Sequence, residues 1–405
     1  MKRLLIVGGG LAGLSAATEA ERRGLDWMLF EASDRVGGRV ATDRTDGFAI
    51  DRGFQVLLTS YPSLAEHLEP LALGRFEPGA VVRIEAPNGK VRWARAIDPW
   101  RRPGDVFSLS WRHVLPPADA LRLVKLRSGI RHEDTKADGL DSRRYLENRG
   151  FSQTAMTRFF TPFFGGVLLD RELSAPAAFM RRLFDYFSRG DAAIPRGGMA
   201  SLPERLMSRL PSTKVRTSVP VEEVSRGGLV AKGQRNEGQV LLCVEPETAR
   251  RLVGERAPQS GGWHATTTFY YEPDTLPKEL RRPLLVLSSG SVIHHLAPLS
   301  VVAPSLAPDG RHLVSVSHDG VADGSLEPAI AAELVRWFPT TRWRLVAVTP
   351  VAHALPRWTE ASRPFVRLSE DLWLAGDGVA DRSIEGAISS GREAVAAMSG
   401  LYPGR

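Results

Sequence analysis

The stretch Leu4-Leu-Ile-Val-Gly-Gly-Gly-Leu-Ala-Gly13 lies at the start of the 405-residue chain and decides its fold. Leu4–Val7 is a short apolar run, which is typical of a strand buried in a parallel sheet. The glycines of Gly8–Gly13 follow the spacing G-x-G-x-x-G, and the alanine-rich segment from Leu11 to Arg23 predicts a helix. A strand, a glycine-rich turn and a helix in this order predict a site for the pyrophosphate of a dinucleotide.

Each residue of this turn has its own predicted role. Gly8 permits the tight turn, Gly10 lets the pyrophosphate approach the backbone, and Gly13 lets the helix pack close to the strand. Leu11 and Ala12 begin the helix, so their free N–H groups are expected to point at the anion.

A second strand is predicted from Asp26 to Glu31. Glu31 lies about 20 residues beyond the glycines, where a carboxylate accepts hydrogen bonds from the ribose hydroxyls of a dinucleotide. Ala32 follows directly and is expected to contact the same nucleotide. These elements predict a dinucleotide site without separating NAD from FAD.

The next residues separate the two cofactors. Glu31-Ala-Ser-Asp-Arg-Val-Gly-Gly-Arg39 resembles the second FAD signature of the superfamily of flavin amine oxidases, phytoene desaturases and protoporphyrinogen oxidases. The resemblance implies that Gly38 brings a further backbone segment to the pyrophosphate. Arg39 is able to neutralise the phosphates through a bidentate contact.

The segment Asp51-Arg-Gly-Phe-Gln-Val-Leu-Leu-Thr-Ser-Tyr-Pro62 resembles the part of these proteins that passes the isoalloxazine ring. The resemblance implies that Gln55 and Val56 lie near the flavin. The ending Ser60-Tyr-Pro62 is most similar to the plant-type phytoene desaturases.

The C-terminal region resembles the third FAD motif of the same superfamily. Leu372–Asp377 predicts a strand that runs into a Gly-Asp turn, and a helix from Ile384 and a helix over 392–398 follow. A helix N-terminus beside the ring would stabilise the anionic reduced flavin. The residues that the resemblance implies as cofactor contacts here are Gly376, Asp377, Ser383 and Ile384.

Segments in the middle of the chain are also predicted to belong to the FAD-binding domain. Ala193–Pro203 resembles the P-x-G-G-M stretch of the superfamily and precedes a predicted helix over 202–210. Val215–Val224 is predicted as one strand, and the resemblance implies that Val221 packs on the adenine. Simple core packing is the alternative for that residue. Gln239–Val244 is predicted to rejoin the sheet.

The resemblance therefore implies an α/β FAD-binding domain, Rossmann-like and of the glutathione-reductase type, with a discontinuous α+β substrate domain in an amine-oxidase-like architecture. The FAD-binding domain is predicted to comprise residues 1–62, 191–245 and 346–405. Residues 63–190 and 246–345 are predicted to form the substrate domain. Dense aromatics in Phe159–Gly166 and Phe184–Phe187 indicate either a large core or an apolar pocket.

Two departures from the amine oxidases bear on the chemistry. Alignment on Tyr270-Tyr271 places Thr266 where those enzymes have the lysine beside flavin N5, and Ser383 where they have a member of the aromatic amine cage. The pattern Ser-x-Glu-Gly-Ala instead resembles plant-type carotene desaturases. Thr266 and His353 are weak catalytic candidates, since a core or surface role is the commoner one for such a histidine.

The predicted function is that of an FAD-dependent oxidoreductase that is desaturase- or dehydrogenase-like. A hydride would pass from a substrate C–H to flavin N5, and the substrate is expected to be apolar and isoprenoid-like. One alternative is a flavin amine oxidase or a protoporphyrinogen-oxidase-like enzyme. Another is a non-catalytic prenyl-lipid-binding protein of the GDP-dissociation-inhibitor type.

Composition limits the partners. The net charge is +7, yet neither a lysine-rich block nor a nucleic-acid motif is present, so no nucleic acid is expected. A basic solvated surface and a peripheral membrane contact both remain open. The longest apolar runs are below 18 residues, and a cytoplasmic location is expected.

One cysteine, Cys243, excludes an internal disulfide and is poorly placed for a cysteinyl flavin, so noncovalent FAD is predicted. The histidines lack metal-ligand spacing, and no metal is expected.

Overall fold

A computed structural model describes residues 2–65, 71–86, 88–129, 139–358 and 362–400. The α-helices are α1 Leu11–Arg22, α2 Pro117–Gly129, α3 Ser142–Asn148, α4 Gln153–Ala155, α5 Thr161–Leu168, α6 Ala177–Arg189, α7 Ser201–Met207, α8 Pro246–Val253, α9 Leu299–Val302, α10 Leu326–Trp337 and α11 Ile384–Met398. A π-helical turn, Met156–Phe160, joins α4 to α5. The 3₁₀ turns are Pro62–Leu64, Pro103–Ser108, Ser110–His113, Ser212–Lys214, Gly254–Arg256, Lys278–Leu280 and Pro304–Leu306.

The strands form five sheets. In chain order they are β1 Leu4–Val7, β2 Trp27–Phe30, β3 Thr42–Thr45, β4 Phe48–Asp51, β5 Leu57–Leu58, β6 Leu73–Arg75, β7 Ala80–Glu85, β8 Val91–Ala96, β9 Ala192–Pro195, β10 Val215–Arg216, β11 Val221–Ser225, β12 Gly228–Ala231, β13 Gln234–Glu237, β14 Gln239–Leu242, β15 Trp263–Pro273, β16 Leu285–Ser288, β17 His295–Ala297, β18 Val314–Asp319, β19 Trp343–Pro356, β20 Phe365–Arg367 and β21 Leu372–Ala375.

A six-stranded sheet with the order β10-β2-β1-β14-β21-β20 carries the glycine-rich turn. β1 lies between β2 and β14 and pairs parallel with both. All four of its side chains are buried because helices or loops cover both faces of such a sheet. The parallel strands end at one edge, and the turn Gly8–Gly10 leaves β1 at that edge.

The two ends of the chain meet through α1 and α11. Ser15 Oγ donates a hydrogen bond to the Ile388 carbonyl at 2.8 Å, although the residues are 373 positions apart. Gly391 faces the backbone of α1, and a Cβ atom added there would lie 2.0 Å from the Ala12 carbonyl oxygen. The glycine therefore permits a helix contact closer than any side chain would allow.

A seven-stranded sheet, ordered β19-β15-β18-β17-β16-β7-β8, is built from both predicted insertions. β7 and β8 come from the first insertion, and β16 pairs parallel with β7. The predicted domain limit at residue 346 lies inside β19, which pairs along its length with β15. The domain limits remain a prediction, and this sheet places β19 with the substrate domain.

Two local predictions are wrong. The single strand predicted over 215–224 is two strands in different sheets, β10 beside β2 and β11 beside β12. Ser218 adopts φ +54° and Pro220 lacks an N–H, so the extended ladder is interrupted between them. The two C-terminal helices are one continuous helix, α11. Among the described residues, no helix is long and apolar enough to cross a membrane.

Gly391→Ala tests the contact between α1 and α11. Alanine gains about 1 kcal/mol of helix propensity over glycine, but its methyl group would overlap rigid backbone at a cost of about 2 to 3 kcal/mol. We expect the free energy of unfolding to fall by about 1 to 2 kcal/mol in urea titration. Gly324→Ala is the control, since a Cβ there meets nothing within 4 Å. Equal stability of the two variants would contradict the contact.

Candidate functional site

A cavity of about 1230 Å³ runs between the six-stranded and seven-stranded sheets. Its walls come from the N-terminal turn, the C-terminal helix and both insertions. Among the predicted cofactor residues, those that line it are Gly8, Gly10, Leu11, Ala12, Glu31, Ala32, Gly38, Arg39, Gln55, Val56, Val221, Gly376, Asp377, Ser383 and Ile384. Tertiary folding thus brings three distant predicted FAD segments to one space.

In the glycine-rich turn, a side chain would find free space at one glycine and would overlap neighbouring backbone at two others. A Cβ added at Gly10 meets nothing within 4 Å, so the cavity reaches the backbone there. At Gly8, where φ is +103°, a Cβ would lie 2.4 Å from the Cys243 carbonyl oxygen. At Gly13 it would lie 1.9 Å from the Gly8 carbonyl oxygen. Gly13 does not line the cavity, and its role is the close packing of α1 on the turn.

Glu31 is held at the end of β2 by two backbone donors. The Gly9 N–H donates to Oε2 at 2.6 Å, and the Ser33 N–H donates to Oε1 at 2.8 Å. These bonds fix the carboxylate beside the glycine-rich turn, and Glu31 lines the cavity there. The sequence predicts a ribose-binding acid at this position.

The second predicted FAD segment lies against the first. The Gly37 N–H donates to the Gly9 carbonyl at 2.8 Å, and Gly37 and Gly38 both have positive φ. Arg39 extends from this turn to Asp377, with 2.6 Å between Nη2 and Oδ1. Burial opposes the charge of Arg39, but the carboxylates of Asp377 and Glu245 raise its pKa above the usual value. The ion pair joins segments 338 residues apart.

Asp51 anchors the segment that passes the predicted flavin ring. Its Oδ1 accepts hydrogen bonds from Thr42 Oγ1 at 2.5 Å and from the Met199 N–H at 2.9 Å. Burial raises the pKa of this carboxyl to about 6 despite these donors. The contact ties β4 to the middle motif around Met199.

Gln55 and Thr266 lie on either side of the same backbone turn. Gln55 Nε2 donates to the carbonyls of Arg39 and Arg52, both at 3.0 Å. Gly53 has φ +85°, and a Cβ there would lie 3.8 Å from the Thr266 methyl carbon. Thr266 Oγ1 donates to the His318 carbonyl at 3.0 Å. Its hydroxyl proton is therefore engaged in the sheet, and the methyl group faces Gly53.

His353 lies beside the Arg39–Asp377 pair. Its ring stacks on Trp263 with 4.8 Å between centroids, and Arg39 lies over the same Trp263 ring at 5.3 Å. Nδ1 is 3.2 Å from Glu245 Oε2, and half of the side chain is exposed. His353 therefore lies on the side of the cavity that holds Arg39 and Asp377.

The N-terminus of α11 faces the cavity between the two halves. Ser383 caps the helix because its Oγ accepts the Gly386 N–H at 2.9 Å. The Gly376 N–H donates to Ser390 Oγ at 2.7 Å, which fixes the Gly-Asp turn against α11. Ser383 and Ile384 line the cavity at this end.

The aromatic residues of the first insertion serve both predicted purposes. Phe160 and Phe164 are buried in a core cluster with α3 and α6. Phe159, Phe163, Phe184 and Phe187 are partly buried and line the cavity. These four side chains form an aromatic wall in the half of the cavity away from the glycine-rich turn, and the cavity is also lined by Glu77, Asp98, Arg101, Arg127 and Asp191.

Tyr61 and His295 are among the cavity residues that the sequence-based set did not include. Tyr61 lines the cavity beside the ring of Tyr186, with 5.2 Å between ring centroids. His295, on β17, lines the aromatic half, and its Nε2 is 2.7 Å from the Pro162 carbonyl oxygen. No local sequence signal marks His295, because its neighbours come from a segment 133 residues away.

Cys243 lies at the dinucleotide end, beside Gly8 and Gly13. Burial raises the pKa of its thiol to about 12, so the thiolate is disfavoured. Within the residues that the structure describes, no three His, Cys, Asp or Glu side chains group as metal ligands.

Residues 11–399 match the family of flavin-containing amine oxidoreductases. The chain belongs to this family. Membership confirms the predicted class, a flavin-dependent oxidoreductase with an amine-oxidase-like fold. An oxidoreductase from Methanosarcina mazei has the same fold, with a TM-score of 0.76, 19% identity and coverage of 97% of this chain and 99% of the other.

Sequence relatives include several flavin enzymes. Protoporphyrinogen oxidase 2 of Arabidopsis thaliana is 36% identical over 86% of this chain and 80% of its own length. A zeta-carotene-forming phytoene desaturase of Myxococcus xanthus is 26% identical over 58% of this chain. The chain spans only 51% of that desaturase, and 18% of a coproporphyrinogen III oxidase of Propionibacterium freudenreichii that is 36% identical over 92 residues.

The glycine-rich turn allows a matched test of binding against folding. Gly10→Ala adds a methyl group in open space at φ −71°, so the free energy of unfolding of the cofactor-free protein should not change. The same methyl group would occupy the predicted pyrophosphate position, and FAD affinity should fall at least about tenfold. Fluorescence titration with FAD and urea denaturation measure the two effects.

Gly13→Ala is the companion variant, and it should lower the free energy of unfolding by about 1 to 3 kcal/mol through overlap with the Gly8 carbonyl. Unchanged FAD affinity in Gly10→Ala would exclude this turn as the pyrophosphate site.

Proposed function

We propose that the protein is an FAD-dependent oxidoreductase of the dehydrogenase or desaturase type, acting on an apolar, isoprenoid-like substrate. The observation that carries the proposal is the single cavity, which joins the glycine-rich turn at Gly10 to the aromatic wall at Phe159 and Phe163. A dinucleotide in one half would have its reactive ring directed toward the apolar half.

Noncovalent FAD is supported by the donors and spaces in the dinucleotide half. The open backbone at Gly10 suits a pyrophosphate, and the fixed carboxylate of Glu31 suits a ribose. Arg39 and the N-terminus of α11 add positive charge along the path. The protonated thiol of Cys243 lies at the nucleotide end, which argues against a cysteinyl bond to the ring.

The walls near the predicted ring favour an apolar substrate over an amine. Thr266 presents a methyl group where amine oxidases have a lysine, and Ser383 is occupied as a helix cap. Neither side chain offers the cation–π contact that guides an amine.

Bound FAD would supply N5 as the hydride acceptor. The protein would hold the substrate C–H over the ring with the aromatic wall and exclude water from it. Gln55 and Val56 would border the ring, and Val221 would pack near the adenine.

A second candidate is the oxidation of a porphyrinogen. The observation in its favour is the 36% identity to protoporphyrinogen oxidase 2 of Arabidopsis thaliana over 86% of this chain. The aromatic wall of the cavity suits a macrocycle as well as a polyene.

Photometry of the purified protein under anaerobic conditions tests the proposal. The preparation should show the oxidised-flavin spectrum, and acid precipitation should release the flavin into the supernatant because it is noncovalent. Polyenes should bleach the flavin, whereas amines should leave it oxidised. Gly10→Ala is the control and should show no flavin to bleach.

The alternatives give distinct results. Bleaching by a porphyrinogen alone selects the second candidate, and bleaching by amines selects an amine oxidase. A colourless protein that takes up no added FAD would indicate the prenyl-binding alternative of the GDP-dissociation-inhibitor type and would overturn the enzyme proposal.

A peripheral membrane contact is the partner that we propose beside the small-molecule substrate. Large apolar side chains are exposed along residues 100–124, with Phe107 at 87%, Leu121 at 58% and Trp100 at 46% exposure. Trp100 also lines the cavity and packs on the Arg127 guanidinium at 4.3 Å. An apolar surface beside a cavity opening and a net charge of +7 suit an anionic bilayer.

Flotation with vesicles of phosphatidylcholine and phosphatidylglycerol tests this contact. The double variant Phe107→Ser/Leu121→Ser should reduce the bound fraction about tenfold, because two exposed apolar groups no longer enter the bilayer. Val321→Ser/Val335→Ser is the control, since both valines are more than half exposed elsewhere. Equal loss in both variants, or binding by neither the variants nor the parent protein, would exclude the surface.

A further inference from the structure

His295 lines the cavity, and one of its two ring nitrogens is engaged by the protein. Its Nε2 lies 2.7 Å from the Pro162 carbonyl oxygen, and a carbonyl only accepts, so Nε2 carries the hydrogen. Nδ1 is then an acceptor, and no described residue donates to it. The side chain is 6% exposed and lines the cavity, so what exposure it has is toward that space.

The ring has no freedom to turn away. Gly166 packs directly on it, and a Cβ added at Gly166 would lie 1.5 Å from His295 Cε1. Pro162 and Gly166 both belong to α5, and β17 lies in the middle of the seven-stranded sheet. The backbone of one helix therefore fixes both the tautomer and the plane of the imidazole.

The charges around the ring keep it neutral. Burial is the main cause that lowers the pKa of His295 to about 4, and His294 and Arg171 act in the same direction. The Pro162 carbonyl and the Asp319 carboxylate oppose this shift. Since the pKa lies below the range of pH 5 to 8, Nδ1 stays an unprotonated acceptor across that range.

Strand register places His295 on the same sheet as Thr268, which contacts the segment beside the predicted flavin ring. His295 pairs with Ser317 on β18, and Ser317 pairs with Thr268 on β15. Two strand spacings separate His295 from Thr268, roughly 10 Å. Thr268 Oγ1 accepts the Phe54 N–H at 3.0 Å, next to the turn that faces the ring.

We propose that His295 Nδ1 accepts a hydrogen bond from an O–H or N–H group of the substrate, at the aromatic wall of the cavity. The inference rests on the proposed function and narrows its substrate class to apolar molecules that carry one such donor. An entirely apolar ligand would displace water from Nδ1 and leave a buried acceptor without a partner. Ligands with the donor should therefore bind about tenfold more tightly than their methylated analogues.

Calorimetric titration of the FAD-loaded protein with paired probes tests the inference. One pair is 2-naphthol and 2-methoxynaphthalene, and the other is indole and 1-methylindole, so the pairs separate an O–H donor from an N–H donor. At least one pair should show the tenfold preference for the donor, equal at pH 6 and pH 7.5 because the imidazole is neutral at both. Equal affinities within both pairs would overturn the inference without any variant.

Three variants locate the effect. His295→Phe keeps an aromatic ring and removes the acceptor, so the preference should vanish, whereas His295→Gln offers an amide donor and an acceptor and should retain part of it. His353→Phe changes a histidine in the other half of the same cavity and should leave the preference intact. A preference that survives in His295→Phe contradicts the assignment.

FAD content and melting temperature are measured for each variant. If the parent protein takes up FAD fully but binds the two members of each probe pair equally, the role of His295 is overturned and the proposed function is not. Failure of the parent protein to bind FAD would instead overturn the proposed function.

Discussion

The close packing of α1 against α11 is the constraint on which the rest of the structure depends. Backbone meets backbone at Ala12 and Gly391, and the Ser15 hydroxyl bonds across the same contact. α1 holds the glycine-rich turn, and α11 holds the turn at Gly376. The cavity acquires both of these walls only when the chain ends meet. Binding of a dinucleotide across the contact would therefore also stabilise the folded state.

The two halves of the cavity differ in the polar and charged groups that line them. The dinucleotide half contains the ion pair of Arg39 with Asp377 and the fixed carboxylate of Glu31. The substrate half is aromatic and contains a neutral imidazole, His295, whose protonation is opposed by burial. Arg39 would offer donors to a phosphate and Glu31 acceptors to ribose hydroxyls, while the aromatic wall and the neutral imidazole would surround the reacting carbon–hydrogen bond.

The seven-stranded sheet connects these halves. β15 carries Thr266 and Thr268 beneath the segment that passes the predicted ring, and β17 carries His295 on the same face. The distances between these groups are set by strand spacing, so a bound substrate would contact a rigid surface. The aromatic helices of the first insertion close that surface from the other side.

The sequence by itself determined the family, because its motifs act through local backbone geometry, and it predicted the FAD segments and the roles of Gly8, Gly10 and Gly13. Strand limits failed at 215–224, where a break at Ser218 and Pro220 depends on neighbouring strands. Only the tertiary structure decided the Arg39–Asp377 pair, the inward turn of the Thr266 hydroxyl and the fixing of His295 by Gly166. These contacts join residues far apart in the chain, and a side chain's partners there are set by packing rather than by its neighbours in sequence.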